Sequence, residues 1–328
     1  MPRTHVTERL RQGDVLLMDG GTGSELQRRG VNVLKGASAA AGLRAWSATA
    51  NVEAADVVQQ VHRDYLRVGA DIIISNNFWT SPTRMEPIGL DREWRMYAQA
   101  SADNALAARD AGNPEAYVFG GMAPPTLQKL TEGRDDPDVV VMGEEAYRRE
   151  FAEHAELLAG AGVDALLPEY VGRIADCVAA VEACSAFGLP VFLGIRHIGE
   201  DGAMQYGESL VDLVAALNGS QVSGILLMCS TPEGITAGLT ILNDHFGGPF
   251  GGYPNIGYNP TGPVDPERPT LTNRRPSGGG DVFQTAGYYP SRLAEFAAEW
   301  KDSGAQIIGG CCATGAEHIL AMSSVVKG

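Results

Sequence analysis

The chain has 328 residues, long enough for two average domains or for one large α/β barrel. Apolar residues make up 44% and charged residues 20%, which excludes a disordered or collagen-like chain; 41 glycines, about 12% against roughly 7% in average usage, imply many turns and close backbone approaches. A formal net charge of −15 repels nucleic-acid phosphate and anionic membrane surfaces, so neither is an expected partner.

Five cysteines (Cys177, Cys184, Cys229, Cys311 and Cys312) are too few, and odd in number, for a disulfide framework. They indicate a reduced protein, expected in the cytoplasm. The first residues, Met1 to Arg9, carry no apolar signal core, and no window reaches 18 apolar residues, so neither export nor a membrane span is expected. The sequence leaves a homo-oligomer open, since interface patches are not legible without a surface.

In chain order, short buried-type runs alternate with segments of helical apolar spacing. Strands are predicted at Val15–Met18, Asp71–Ser75, Tyr117–Gly120, Ala165–Pro168, Val191–Gly194, Gly224–Met228, more faintly Pro249–Gly252, and Gln306–Gly309. Helices are predicted at Glu53–Val68, Glu93–Asp110, Glu144–Ala161, Ile174–Phe187, Glu208–Leu217, Pro232–Phe246, Ser291–Ser303 and Ala316–Val325. Eight strand–helix units without a linker point to a single-domain α/β protein, a (β/α)8 TIM barrel over residues 1–328. The alternative is a doubly wound open sheet. Three Gly/Pro/polar stretches, 30–51, 122–142 and 251–289, read as long loops on the C-terminal face, where barrels keep their active sites.

Cys229 ends the sixth predicted strand, and Cys311 and Cys312 end the eighth. A barrel brings those ends together. Adjacent strand residues point to opposite faces, so both Cys311 and Cys312 reach one ligand only if the chain bends, which Gly309-Gly310 permits. Three thiolates with a fourth position open suit zinc. Other readings stand beside this one: Cys229 as a small core residue, and Cys311-Cys312 as a vicinal disulfide or switchable thiol pair. Cys177 and Cys184 lie seven apart on one helix face and read as core.

Five segments, taken jointly, carry a family signature: Asp19-Gly20-Gly21-Thr22-Gly23-Ser24-Glu25-Leu26; His62-Arg63-Asp64-Tyr65-Leu66 before Gly69-Ala70-Asp71; Glu169; Tyr253-Pro254-Asn255; and Gly309-Gly310-Cys311-Cys312. From about Leu16 to about Met322 the chain resembles the homocysteine S-methyltransferase family. That resemblance implies a (β/α)8 barrel in which Cys229, Cys311 and Cys312 hold Zn2+ and homocysteine is methylated to methionine. It assigns Glu169 and Asp19 to the substrate's amino group, Ser75 and Asn255 to the same pocket, and backbone amides around Gly20 and Gly21 to the carboxylate. A tight turn with a helix cap is the plain structural reading of Asp19 to Gly23.

Direct displacement needs a donor that leaves as a neutral molecule, hence an onium compound, and aromatic faces are the usual partners of such cations. Trp79 follows the second strand, Tyr170 follows Glu169 after the fourth, and Trp46 lies in the first long loop. The Glu169-Tyr170 pair looks like the betaine-using branch of the family; the S-methylmethionine branch typically has Thr after that Glu. The chain departs from the family pattern at Met228, where Asn is usual before the sixth-strand Cys. It departs again at Tyr258, where Glu is usual, and Tyr258 is a further candidate for the donor cage. Competing classes are a zinc hydrolase, disfavoured by six His with no H-E-x-x-H arrangement, a thiol redox or zinc sensor, and an onium binder without turnover.

Overall fold

The computed structural model describes residues 3–33, 45–125, 137–257 and 287–328. Eight parallel strands, β1 (Leu16–Leu17), β2 (Ile72–Ile74), β3 (Tyr117–Met122), β4 (Ala165–Pro168), β5 (Val191–Arg196), β6 (Val222–Met228), β7 (Phe250–Tyr253) and β8 (Ile307–Ile308), lie in the order β1-β8-β7-β6-β5-β4-β3-β2. The β1–β2 seam closes the barrel through a bridge at Met18 and Ile72, the bonds Asp71 N–H to Leu17 O and Asp19 N–H to Ile72 O, and two side chains. The Asp71 carboxylate accepts from Leu17 N–H and the Asp19 carboxylate from Ile74 N–H, each at 2.9 Å. The fold is the expected TIM barrel.

The α-helices of the described residues are α1 (Val6–Arg11), α2 (Thr22–Arg28), α3 (Ala50–Glu53), α4 (Ala55–Arg67), α5 (Pro82–Met85), α6 (Trp94–Gly112), α7 (Asp138–Met142), α8 (Glu144–Ala161), α9 (Ile174–Cys184), α10 (Leu210–Ala216), α11 (Pro232–His245), α12 (Pro290–Asp302) and α13 (Ala316–Val326). The predicted helix Glu53–Val68 is broken at Ala54, whose φ of −145° leaves the helical region. Among the described residues, no helix is long and apolar enough to cross a membrane.

Strand alternation sorts the apolar side chains into two layers. Leu16, Met18, Tyr117, Phe119, Leu167, Phe192, Leu226 and Ile307 fill the barrel interior, with Phe119 and Phe192 stacked at 4.9 Å. Leu17, Val118, Leu166, Leu193, Ile225 and Ile308 face outward and pack with the helices, and Cys177 and Cys184 are buried there, as expected of core thiols. Helix α1 plugs the N-terminal mouth with Val6 and Leu10, tied down by Tyr117 Oη to Thr4 O and by Gln306 Nε2 to Leu10 O, both at 2.6 Å. The C-terminal mouth is therefore the open one.

His62 of the family-like segment is fully buried on α4, with neither ring nitrogen partnered among the described residues, and burial pushes its pKa down to about 4. The unfolded chain takes up a proton near pH 6.5 that the folded protein refuses, so this residue's contribution to stability falls as pH drops from 6.5 toward 4. His62→Met is expected to gain about 2 kcal/mol on the wild type between pH 7 and pH 5, measured by urea unfolding. The same stability difference at both pH values would contradict it.

Candidate active site

Strand geometry delivers one residue after another to the open mouth: Asp19 after β1, Ser75 after β2, Glu169 after β4, His197 after β5, Cys229 after β6, Asn255 after β7, and Cys311 and Cys312 after β8. Non-glycine residues with positive φ are uncommon, yet Tyr170 (65°), His197 (54°), Cys229 (48°) and Ala313 (65°) all adopt it just beyond a strand end. Such conformations persist only where surrounding bonds hold them, and they concentrate at functional sites.

The Sγ atoms of Cys229, Cys311 and Cys312 lie within 4.8 Å of one another, and those of Cys311 and Cys312 are 3.8 Å apart. None of the five cysteines is in a disulfide, so the adjacent pair is in the thiol form here. Hydrogen bonding to the sulfurs of Cys229 and Cys312, followed by burial, holds the Cys311 thiol well above its ordinary pKa. Asn255 Nδ2 donates to Cys229 Sγ at 3.5 Å, while its Oδ1 accepts from Gly257 N–H at 2.9 Å, fixing the amide's orientation.

The β8 loop is clamped by the segment after β1. Thr314 O accepts from Gly21 N–H and from Tyr65 Oη, each at 3.0 Å; Ala313 N–H donates to Ser24 Oγ at 3.0 Å, and Arg28 Nη2 to Ala313 O at 2.9 Å. A Cβ on Gly20 would meet Thr314 O at 2.5 Å, and one on Gly21 would meet Cys311 O at 2.5 Å. These glycines are required by close approach to the cysteine loop, and the Gly21 amide is already engaged by Thr314. The structural reading of the Asp-Gly-Gly segment as a turn entering a helix holds, with α2 starting at Thr22.

Asp19 is fully buried; Ile74 N–H occupies Oδ2, while Oδ1 has no partner among the described residues. Burial, with Glu169 nearby, drives its pKa well above the carboxylate range. Glu169 is pushed up to about 8 by burial, against the hydrogen bond from Tyr253 Oη at 2.9 Å, with Cys229 adding to the rise. Two buried carboxyls side by side with an unused oxygen form a receptor for a cation. The Ser75 hydroxyl, at the end of β2, donates to Asn77 Oδ1 at 2.6 Å.

Phe78 stands 5.3 Å from Trp79 and, edge-on, 5.3 Å from Tyr170; all three join the interior cluster that contains Cys229, Cys311 and Cys312. Tyr170 Oη meets His197 Nε2 at 3.0 Å. Trp46 packs against the outer cluster, so close to α2 that a Cβ on Gly23 would lie 2.1 Å from its Nε1. Tyr258 lies outside the described residues. The sequence reading gave Met228 no role, yet Met228 Sδ accepts from Tyr170 N–H at 2.9 Å and lies 3.3 Å from Tyr253 Oη, the hydroxyl that bonds Glu169, so it links the carboxylate side of the site to the aromatic side. The position of Met228 one residue before a strand-end cysteine was the available signal.

A model of the homocysteine S-methyltransferase family matches residues 16–326. The homocysteine S-methyltransferase of Escherichia coli (strain K12) is 27% identical over 318 residues, 95% of each chain. An S-methylmethionine–homocysteine S-methyltransferase of Pongo abelii is 28% identical over 330 residues, 97% of this chain and 80% of that one. The crystal structure of the Escherichia coli homocysteine methyltransferase MmuM, metallated form, superposes with a TM-score of 0.75 at 26% identity, covering 97% of this chain and 98% of that chain.

Gly21→Ala is expected to cost about 1 to 3 kcal/mol, because its methyl group meets a backbone carbonyl that cannot rotate away. An unfolding midpoint equal to the wild type's would show that the clamp is looser than described.

Proposed function

This chain belongs to the homocysteine S-methyltransferase family, and from that premise we propose that it transfers a methyl group from an onium donor, betaine-like or sulfonium, to homocysteine thiolate at a zinc ion held by Cys229, Cys311 and Cys312. The product is methionine, and residues 1–328 act as one barrel domain. The observation that carries the reading is the convergence of three sulfurs beside two buried carboxyls and an aromatic wall.

The donor set fits the metal. Sulfurs around a tetrahedral zinc with bonds of about 2.3 Å lie ~3.8 Å apart, the separation of Cys311 and Cys312. Bound zinc favours the ionised form of an incoming thiol at neutral pH while three thiolate ligands keep that sulfur electron-rich. Asn255 steadies Cys229 by its amide contact. Glu169 and Asp19 receive the α-ammonium group, whose charge relieves their mutual repulsion and satisfies the unused Asp19 oxygen.

In the displacement, the homocysteine sulfur lone pair forms the new S–C bond as the donor's C–N or C–S bond breaks. The released electron pair departs on a neutral amine or thioether, so this step needs no proton. Phe78, Trp79 and Tyr170 attract the donor cation, each contact worth about 0.5 to 2 kcal/mol. Since positive charge disperses during transfer, these rings hold and orient the donor more than they lower the barrier.

The test is zinc content of the reduced protein, then methionine formation from homocysteine with glycine betaine, S-methylmethionine and dimethylsulfoniopropionate offered separately. One zinc per chain and at least one productive donor are expected, and Cys229→Ser or Cys312→Ser should lose both metal and activity. Turnover without zinc, or loaded protein inert with every donor, would overturn the proposal. Glu169→Gln is expected to raise the homocysteine KM about tenfold to a hundredfold with a smaller effect on the donor KM, the size of a lost charge-assisted hydrogen bond; equal effects on both would remove its role at the amine.

A further inference from the structure

One buried histidine at the open mouth has no part in the chemistry derived above. His197, one residue beyond β5, is 3% exposed, and its Nε2 meets Tyr170 Oη at 3.0 Å with the two rings edge-on at 5.3 Å. Both residues stand in the left-handed region, at φ 54° and 65°, just beyond the ends of the adjacent strands β5 and β4. Met228 holds both backbones there: its carbonyl accepts from His197 N–H at 3.2 Å and its Sδ from Tyr170 N–H at 2.9 Å. The following residue is pinned as well, Ile198 N–H donating at 2.8 Å to Ser230 Oγ, which itself donates to Met228 O at 2.9 Å. Strain held this firmly belongs to functional sites, and here it aims an imidazole at a phenol hydroxyl.

The geometry of the aromatic wall gives that bond a purpose. The guanidinium of Arg196 lies 4.9 Å from the Tyr170 ring centroid, and that of Arg84, on α5 and 4% exposed, lies 4.8 Å from the Trp79 centroid. One face of each ring therefore already carries a cation. A donor cation has the opposite faces to meet, and its attraction depends on a ring turned toward the charge. Phe78 steadies Tyr170 by edge-on contact alone. A hydrogen bond at Oη, the phenol atom farthest from the backbone, fixes the ring's tilt, as a binding side chain requires of its supporting residues.

We propose that His197 is a positioning residue for methyl-donor binding: through its hydrogen bond to Tyr170 Oη it holds the ring with its uncovered face toward the onium cation. The inference rests on the onium-donor reading above and adds to it a residue that acts through Tyr170. Glu169 and Asp19 receive the homocysteine amine in that reading, so loss of the bond bears on the donor and spares the acceptor.

The test is steady-state kinetics on the zinc-loaded protein, with homocysteine and whichever of glycine betaine, S-methylmethionine and dimethylsulfoniopropionate turns over fastest. His197→Phe keeps a ring and removes the hydrogen bond; it should raise the donor KM about threefold to tenfold, the size of one hydrogen bond. Zinc content should be unchanged, with kcat and the homocysteine KM within about twofold of the wild type. His197→Gln, whose amide can bond the same hydroxyl, should recover most of the donor affinity. Tyr170→Phe removes the bond from the other side, and the double variant should bind the donor no more weakly than the weaker single variant, because the bond is lost only once. An unchanged donor KM in His197→Phe, a parallel rise in both KM values, a glutamine no better than phenylalanine, or additive effects in the double variant would overturn the positioning role and leave the functional reading intact. Should His197→Phe fail to fold, Tyr170→Phe decides: a donor KM equal to the wild type's overturns the role, and a rise in the donor KM alone supports it. A wild type that forms no methionine from any of the three donors would end the functional reading and this inference with it.

Discussion

Three sulfur atoms within 4.8 Å of one another are a liability once ionised, and the rest of the molecule is arranged around holding them there. Two unit charges at about 4 Å repel by roughly 4 kcal/mol at the effective dielectric of a protein surface, so backbone geometry must oppose the separation of the thiols. Cys229 is presented in a left-handed conformation at the end of β6, and Cys311 by a loop fastened at Gly21, Ser24, Arg28 and Tyr65. The raised pKa of Cys311 expresses the same crowding. A cation of the right size resolves it.

The barrel brings parts distant in sequence to one mouth without long-range flexibility. Asp19 serves twice, closing the β1–β2 seam with one oxygen and leaving the other buried near Glu169 with no partner among the described residues. Met228 joins that side of the site to the aromatic side, accepting from the left-handed Tyr170 amide and touching the Tyr253 hydroxyl that bonds Glu169. Backbone strain follows the chemistry around the rim, from Tyr170 through His197 and Cys229 to Ala313, while the opposite end of the barrel is stoppered by α1.

Much of this was legible before any coordinates. Strand-end placement of Cys229 and of Cys311-Cys312 depends only on short apolar runs, which survive in β6 and β8 even though β8 is two residues long. The faint seventh strand proved real: Phe250-Gly251-Gly252-Tyr253 lacks β-branched residues because Gly251 must pass against Ile307 of β8, where a Cβ would lie 1.8 Å from its carbonyl oxygen. What escaped sequence reasoning has physical causes. Helix α1 offers two apolar residues in six, too few for a period, and their purpose appears only with the barrel floor beneath them. Helix α7 sits in a stretch read as loop because a five-residue element is set by its neighbours: Asp176 accepts the first amides at Asp138 and Val139. Trp46 could be placed in a loop but not on a face, and Arg84 looks like any surface arginine until its neighbours are known.

The most direct measurement is zinc K-edge X-ray absorption on the reduced, metal-loaded protein, with and without homocysteine. Three sulfur neighbours and one lighter atom without homocysteine, becoming four sulfurs with it, is the expected result, with Zn–S near 2.3 Å. Fewer than three sulfurs in the first state, or no added sulfur in the second, would contradict a three-cysteine site that receives the substrate thiol.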